Sequence, residues 1–429
     1  MKLLFYPENR QEIEGIILKR SFSLKDRRSS VVEEIILEVK EDGDKALYKY
    51  TAQLDRANLQ GLKVSEEEIE EAYQGVEQGF IFSLKKAIEN VADYHQRQLR
   101  QSWFNYRNGG MTGQLINPLS RVGAYVPGGR AAYPSSVVMT VIPARVAGVD
   151  EVVVTTPPDS SGKINPYTLV AAKEAGVDEI YKVGGAQAIA ALAFGTESIK
   201  PVDKIVGPGN IYVTLAKKMV YGIVDIDMLA GPSEVLILAD GTARPDYIAA
   251  DLLSQAEHDP LAIPVLVTTE QGLIDEVKKE IESQLQELIK QAIARRAVED
   301  NGLIVKVTSL DEGIELVNRF APEHFELIVK EPFRYLDRIK NAGAIFIGEY
   351  SSEPLGDYLA GPNHVLPTGG TARYASPLNT DDFIKKSSII YYSKEELFQV
   401  KDDIVKLATL EGLDAHAEAV RIRFRETQG

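Results

Sequence analysis

Arg121-Val122-Gly123-Ala124-Tyr125-Val126-Pro127-Gly128-Gly129 decides how the rest of the chain is read. Arg121–Val126 is a short, mostly apolar run of strand type, and the Pro-Gly-Gly behind it is a turn signal. A helix is expected over Val137–Gly148. Working outward, the same order recurs. Strand Glu151–Thr156 precedes helix Tyr167–Gly176, and strand Glu179–Val183 runs through Gly184-Gly185 into helix Ala186–Phe194. Strand Lys204–Val206 then runs through Gly207-Pro208-Gly209-Asn210 into helix Ile211–Tyr221. Repeated strand, turn and helix predict a parallel sheet covered by helices.

A second such run begins at Val235–Leu238. It continues with a helix from Pro245, strand Pro264–Thr268, helix Leu273–Ile289, strand Leu303–Val307 and helix Gly313–Phe320. Strand Phe325–Val329, helix Tyr335–Lys340 and strand Ala344–Ile347 close it. The expected fold class is α/β: two doubly wound, Rossmann-like parallel-sheet domains with a helical N-terminal arm and a C-terminal tail. Residues 1–28 read as an irregular or partly helical arm. Val31-Val32, Ile35-Ile36 and Val39 recur at helical spacing, and Ser65-x-x-Glu68 is a capping box expected to open one long helix towards Gln98. Residues 349–380, rich in Gly, Pro, Ser and Thr, are expected to form a long functional loop. A strand at Ser388–Tyr392 and helices from Glu395 to Arg425 are too little for a separate core, so this tail is expected to pack on another domain or subunit. The domains expected are therefore an arm at 1–28, a first α/β domain at 29–120 and 233–376, a second at 121–232, and a tail at 377–429.

At 429 residues the chain has length for about three domains as a prior. Its 48 basic and 63 acidic residues leave a formal charge of −15, which argues against a nucleic-acid partner. With no cysteine, disulfides, iron–sulfur clusters, thiolate zinc sites and a cysteine nucleophile are excluded. No apolar run reaches the ~18 residues of a membrane span. Met1–Glu8 soon turns polar, without the apolar core of a signal peptide, so a cytoplasmic protein with no membrane partner is expected.

Ligands of open α/β sheets lie beyond the carboxyl ends of the strands. The turns at 127–129, 184–185 and 207–209 are such places, and their backbone N–H groups suit an anionic or nucleotide-like group as well as glycine suits a tight turn. No Gly-x-Gly-x-x-Gly follows a strand and no Walker A sequence exists, so the usual dinucleotide fingerprint is missing. In Leu253-Ser254-Gln255-Ala256-Glu257-His258-Asp259, Gln255 and His258 share one helical face while Glu257 points away. An amide oxygen and an imidazole one turn apart can form half of a metal site or belong to an ordinary polar face, and Asp259 can share that face. The five histidines are His95, His258, His324, His364 and His416. His95, in a charged stretch, reads as part of a solvated helix face. Glu323-His324 stands at a helix-to-strand junction, where a carboxylate and an imidazole can relay a proton or activate water.

These segments, together with Ala230-Gly231-Pro232-Ser233-Glu234, Gly356-Asp357-Tyr358, Gly361-Pro362-Asn363-His364 and Glu411–His416, closely resemble the histidinol dehydrogenase family, in its order and over essentially the entire chain. The resemblance implies oxidation of L-histidinol to L-histidine through L-histidinaldehyde, with two NAD, as the last step of histidine biosynthesis. It implies one zinc ion per site and a homodimer whose C-terminal segment completes the neighbouring site, residues 121–232 being the NAD-binding domain. By motif, Gln255, His258, Asp357 and His416 would hold zinc, and Glu323 and His324 would be the catalytic pair. Tyr125, Gln187 and Asn210 would contact NAD. Ser233 and Glu411, with Gln255, His258, His324, Asp357 and His416, would face the substrate, and the role of His364 stays open.

Composition adds one expectation. Without a thiol, the second oxidation most simply proceeds through the hydrated aldehyde rather than a cysteine adduct.

Overall fold

The computed structural model describes residues 1–20, 27–107, 109–128 and 132–425. Gly129 of the first glycine turn, residues 21–26 of the arm and the last four residues of the tail lie outside the described residues. The chain divides into two units, residues 1–98 with 119–383, and residues 99–118 with 384–429.

The first unit holds two parallel sheets. One has six strands, in the order Lys2–Phe5, Leu303–Lys306, Ile263–Thr268, Glu234–Ala239, His324–Ile328 and Ala344–Ile347. The other has five, in the order Glu179–Tyr181, Glu151–Thr155, Arg121–Tyr125, Lys204–Val206 and Asp225–Ile226. Alternate residues of one strand enter different cores: Val235, Ile237 and Ala239 join one cluster, Leu236 and Leu238 another. Val152 and Val154 likewise part from Val153. Both faces of each sheet are thus covered, which is why these strands read as continuous apolar runs rather than alternating ones.

Several local expectations are corrected. Lys2–Phe5, read as part of an irregular arm, is an edge strand paired with Leu303–Lys306. The Ser65–Glu68 capping box is present, but its helix spans only Glu66–Gln74, and a separate helix covers Gln78–Gln96. His95 is not on a solvated face; it is fully buried. Leu84, Val91 and His95 share the inward side of that helix, at offsets of seven and four residues. Its Nδ1 donates to the Val91 carbonyl at 2.8 Å, which leaves Nε2 to accept from Asn363 Nδ2 at 3.4 Å.

The second unit is an antiparallel sheet ordered Ile384–Tyr392, Gly110–Pro118 and Trp103–Arg107, with helices Lys394–Leu410 and Asp414–Arg421. The two strands within residues 99–118 were not expected from the sequence. Trp103, Phe104, Tyr106, Ile390, Tyr391 and Phe398 of this unit are exposed in the single chain.

Candidate active site

The Glu323-His324 pair sits where helix Leu310–Phe320 gives way to strand His324–Ile328. Ala321 ends the helix in the left-handed region, at φ 50°, and precedes Pro322, which disfavours further helical backbone. Both side chains are buried. They are held by one residue. The Glu234 amide donates to Glu323 Oε2 at 2.8 Å, and the Glu234 carbonyl lies 3.0 Å from His324 Nδ1. Because a carbonyl only accepts, Nδ1 carries the proton and Nε2 presents its lone pair. That Nε2 is buried and has no hydrogen-bond partner among the described residues. Burial lowers the His324 pKa, which keeps the ring neutral, and burial pushes the Glu323 carboxyl well above the usual range. The pair is therefore an imidazole base and a carboxylate of raised basicity, both shielded from water.

Next to it is a group of potential ligands. The ligand atoms of His258, Glu353 and Asp357 all lie within 4.8 Å of one another. His258 follows the end of helix Pro245–Ala256, and Glu353 and Asp357 share the short helix Glu353–Tyr358 inside the segment read as a loop. His324 Nε2 is 4.0 Å from Asp357 Oδ1, and His364 Nδ1 is 3.6 Å from the same oxygen. Burial alone would raise Asp357, but the hydrogen bond and charge of His364 outweigh it and hold the carboxyl down at about 2. Burial, with the neighbouring Asp357 charge, pushes Glu353 up to about 8. Its Oε2 accepts from Ser254 Oγ at 3.0 Å, and its backbone N–H donates to Glu326 Oε1 at 3.0 Å. Gln255, one turn before His258, is 1 % exposed, and its Oε1 has no hydrogen-bond partner among the described residues. The imidazole and two carboxylates form a nitrogen and oxygen donor set of a kind that fits a divalent ion of zinc type, and the orphaned amide oxygen of Gln255 is one helical turn from His258.

Glu353 was missed in the sequence, although its offset of four from Asp357 was visible. Glu234 was missed as well; its contribution is made by the main chain, which no side-chain motif reveals.

The three candidates for NAD contact lie at the carboxyl ends of the five-stranded sheet. Tyr125 ends the central strand and is buried, its hydroxyl accepting from the Gly185 amide at 3.2 Å. Burial pushes that phenol up to about 12. Gln187 is buried in helix Gly185–Phe194 with Oε1 unpartnered among the described residues. Asn210 caps helix Ile211–Val220, its Oδ1 accepting from the Tyr212 and Val213 amides at 3.0 and 3.2 Å, so only its amide nitrogen is left for a ligand. Tyr125 and Asn210 follow the two adjacent strands from which the chain connections run in opposite directions, the place where such sheets bind ligands. Gly207 is needed there: its φ is 106° and a Cβ would overlap the Tyr125 carbonyl oxygen.

Ser233 immediately precedes strand Glu234–Ala239 and is half-buried, its carbonyl accepting from the Ile263 amide at 3.0 Å. Glu411 and His416 belong to the second unit, at the end of helix Lys394–Leu410 and within helix Asp414–Arg421, and both are exposed.

Parallel sheets covered by helices, with a buried carboxyl–imidazole pair beside a group of nitrogen and oxygen side chains that could hold a metal ion, define an α/β protein class. Comparison with known proteins then gives the family. The sequence matches the Histidinol dehydrogenase family over residues 18–424. It is 56% identical over 411 residues to "Histidinol dehydrogenase" of Clostridium acetobutylicum, covering 94% of this chain and 95% of that protein. It is 54% identical over 430 residues to the protein of the same name from Heliobacterium mobile, covering 99% of this chain and 100% of that one. The crystal structure of histidinol dehydrogenase from Elizabethkingia anophelis superposes with a TM-score of 0.93 at 38% identity, over 99% of this chain and 98% of that one. The chain belongs to the histidinol dehydrogenase family.

Proposed function

We propose that this chain oxidises L-histidinol to L-histidine through L-histidinaldehyde, with two NAD, as the last step of histidine biosynthesis. The observation that carries the reading is the unpartnered, buried Nε2 of His324, its lone pair exposed to the ligand cluster by the Nδ1 bond to Glu234. In the same reading the two parallel sheets are doubly wound and Rossmann-like, and bind the dinucleotide without the glycine fingerprint. Tyr125, Gln187 and Asn210 contact it at the strand ends.

When bound, NAD takes up a hydride at each oxidation, and zinc supplies an orienting template for the imidazole and amine nitrogens of the substrate. Gln255, His258 and Asp357 hold the metal together with His416, and Glu353 lies close enough to join them. The acid–base work belongs to the chain. His324 accepts the alcohol proton in the first oxidation. Glu323 then removes a proton from the water that adds to the aldehyde carbon while protonated His324 returns its proton to the carbonyl oxygen, which gives the hydrate and leaves His324 neutral to take the hydrate's proton in the second. Ser233 and Glu411 orient the substrate.

Glu411 and His416 are proposed to act on the site of a second subunit, in a homodimer. The exposed aromatic and aliphatic side chains of their unit support this, because large apolar side chains left in water are often covered at an interface. The test is NADH formation from histidinol by the purified protein, before and after stripping its metal. Turnover that needs both NAD and restored zinc supports the reading; full activity in metal-free protein, or NAD-independent turnover, contradicts it.

A further inference from the structure

Arg20 follows helix Arg10–Lys19, about three hundred residues in sequence from the pair it serves. Its side chain is 3% exposed, and Nη1 meets Glu234 Oε2 at 2.8 Å, the glutamate side chain being 1% exposed. The guanidinium lies over the Phe320 ring, 3.4 Å from its centroid, and Nη2 donates to the Phe320 carbonyl. The other carboxylate oxygen of Glu234 accepts from the Gly369 amide at 3.3 Å. One cation therefore ties Glu234 to the last residue of helix Leu310–Phe320, three positions before Glu323.

Both anchored points lead to the same chemistry. The Glu234 amide and carbonyl orient Glu323 and His324, and the Phe320 end of the helix sets where the two residues enter the site. Glu234 left without its cation would be an unpaired buried charge, which is driven to protonate or to turn towards water. Either response strains the peptide groups that hold the Glu323 carboxylate and the His324 tautomer. A guanidinium that stacks on the Phe320 ring, donates to its carbonyl and pairs with the Glu234 carboxylate is suited to this clamp in a way a point charge is not.

We infer that Arg20 is a positioning residue for the Glu323–His324 pair, acting through Glu234. The inference rests on the proposed reading of that pair as the proton-transfer groups.

The test uses zinc-loaded full-length protein carrying Arg20→Gln, Arg20→Lys, the double substitution Arg20→Gln with Glu234→Gln, and Glu323→Gln as control. Arg20→Gln is expected to keep its zinc and hold the histidinol KM within about twofold, while kcat falls by about ten- to a hundredfold, the scale of a small misplacement of catalytic groups. Its pH–rate profile is expected to differ from wild type, because loss of the clamp loosens the carbonyl that holds the His324 tautomer. Arg20→Lys should recover part of kcat. If Arg20→Gln does not fold, the double variant carries the test, since it leaves no unpaired buried charge; it should be slow for want of the clamp. A wild-type kcat and pH profile in the folded variant overturns the inference, as does a loss of kcat that tracks lost zinc or a raised KM. If Glu323→Gln is impaired and the Arg20 variants are not, only the role of Arg20 falls. If Glu323→Gln keeps both oxidations, the catalytic reading of the pair fails, and the inference with it.

Discussion

His324 Nε2 faces Asp357 Oδ1 at 4.0 Å, so the imidazole proposed as base and a proposed metal ligand meet across one small space. The Nδ1 bond to Glu234 fixes which nitrogen looks into that space. A substrate held by the ligand cluster is thereby presented to a lone pair rather than to an N–H. The two proposed tasks, holding the substrate and moving its proton, are divided between neighbouring side chains on different elements.

Removing the carboxylate beside this imidazole should separate the two oxidations. Glu323→Gln preserves size but cannot take a proton from water. Oxidation of supplied histidinaldehyde is expected to fall by about 10²–10⁴-fold, the range for loss of a general base, while the first oxidation of histidinol falls by less than about tenfold. Single-turnover NADH formation from each substrate checks this. Equal loss in both steps would count against the assignment.

Metal binding should release a proton. Without a cation, Glu353 titrates at about 8 and is largely protonated at neutral pH. A divalent ion next to it inverts that preference. Zinc added to metal-free protein at pH 7 is expected to release close to one proton from this residue, measurable by calorimetry in two buffers of different ionisation heat. Glu353→Gln should abolish that release, and Gln255→Ala should lower zinc content per chain. Proton release unchanged in Glu353→Gln would remove Glu353 from the site.

The first oxidation should survive mild acidity. Burial lowers the pKa of His324 below the ordinary 6.5. The base must be neutral, so activity is retained below that value and is lost only as pH falls through the lowered one. A kcat profile for histidinol whose acid limb lies at or above 6.5 would contradict this.

Asp55 carries a stability cost of its own. It closes the single π-turn Thr51–Asp55, and its Oδ2 is buried without a partner among the described residues. Burial pushes its carboxyl up from 3.8 to about 6. With the folded value raised, its favourable contribution is complete below about pH 4, falls as pH rises to 6, and stays lost above that. A rise of this size is worth roughly 3 kcal/mol at full burial. Part of the side chain faces solvent, so about 1 kcal/mol is expected. Asp55→Asn should match wild type near pH 3 and exceed it by about that amount near pH 7.5 in chemical denaturation. An equal difference at both values would refute the account.

The parallel sheets were legible because each strand-to-helix turn leaves a mark. Gly207 adopts a φ that other residues rarely adopt, and it lies in a sequence where glycine stands out. The Gln255–His258 face was legible from helical spacing, but its meeting with Glu353 and Asp357 was not, because the partners come from a segment about a hundred residues away. His95 could have been read correctly from Leu84 and Val91, and the polar neighbours Gln96-Arg97 obscured that phase. Trp103–Arg107 was hidden for a different reason. Every residue in it is exposed in the single chain, so it has none of the apolar alternation that marks a half-buried strand. The clamp from Arg20 through Glu234 had no local signal, since it joins a helix end to main-chain groups across the length of the unit.

The central claim is that one site carries out both oxidations. The measurement that tests it most directly is the amount of NADH formed per histidinol consumed to completion by zinc-loaded protein with excess NAD. The account predicts two NADH and one L-histidine for each histidinol. One NADH, with histidinaldehyde accumulating, would contradict it.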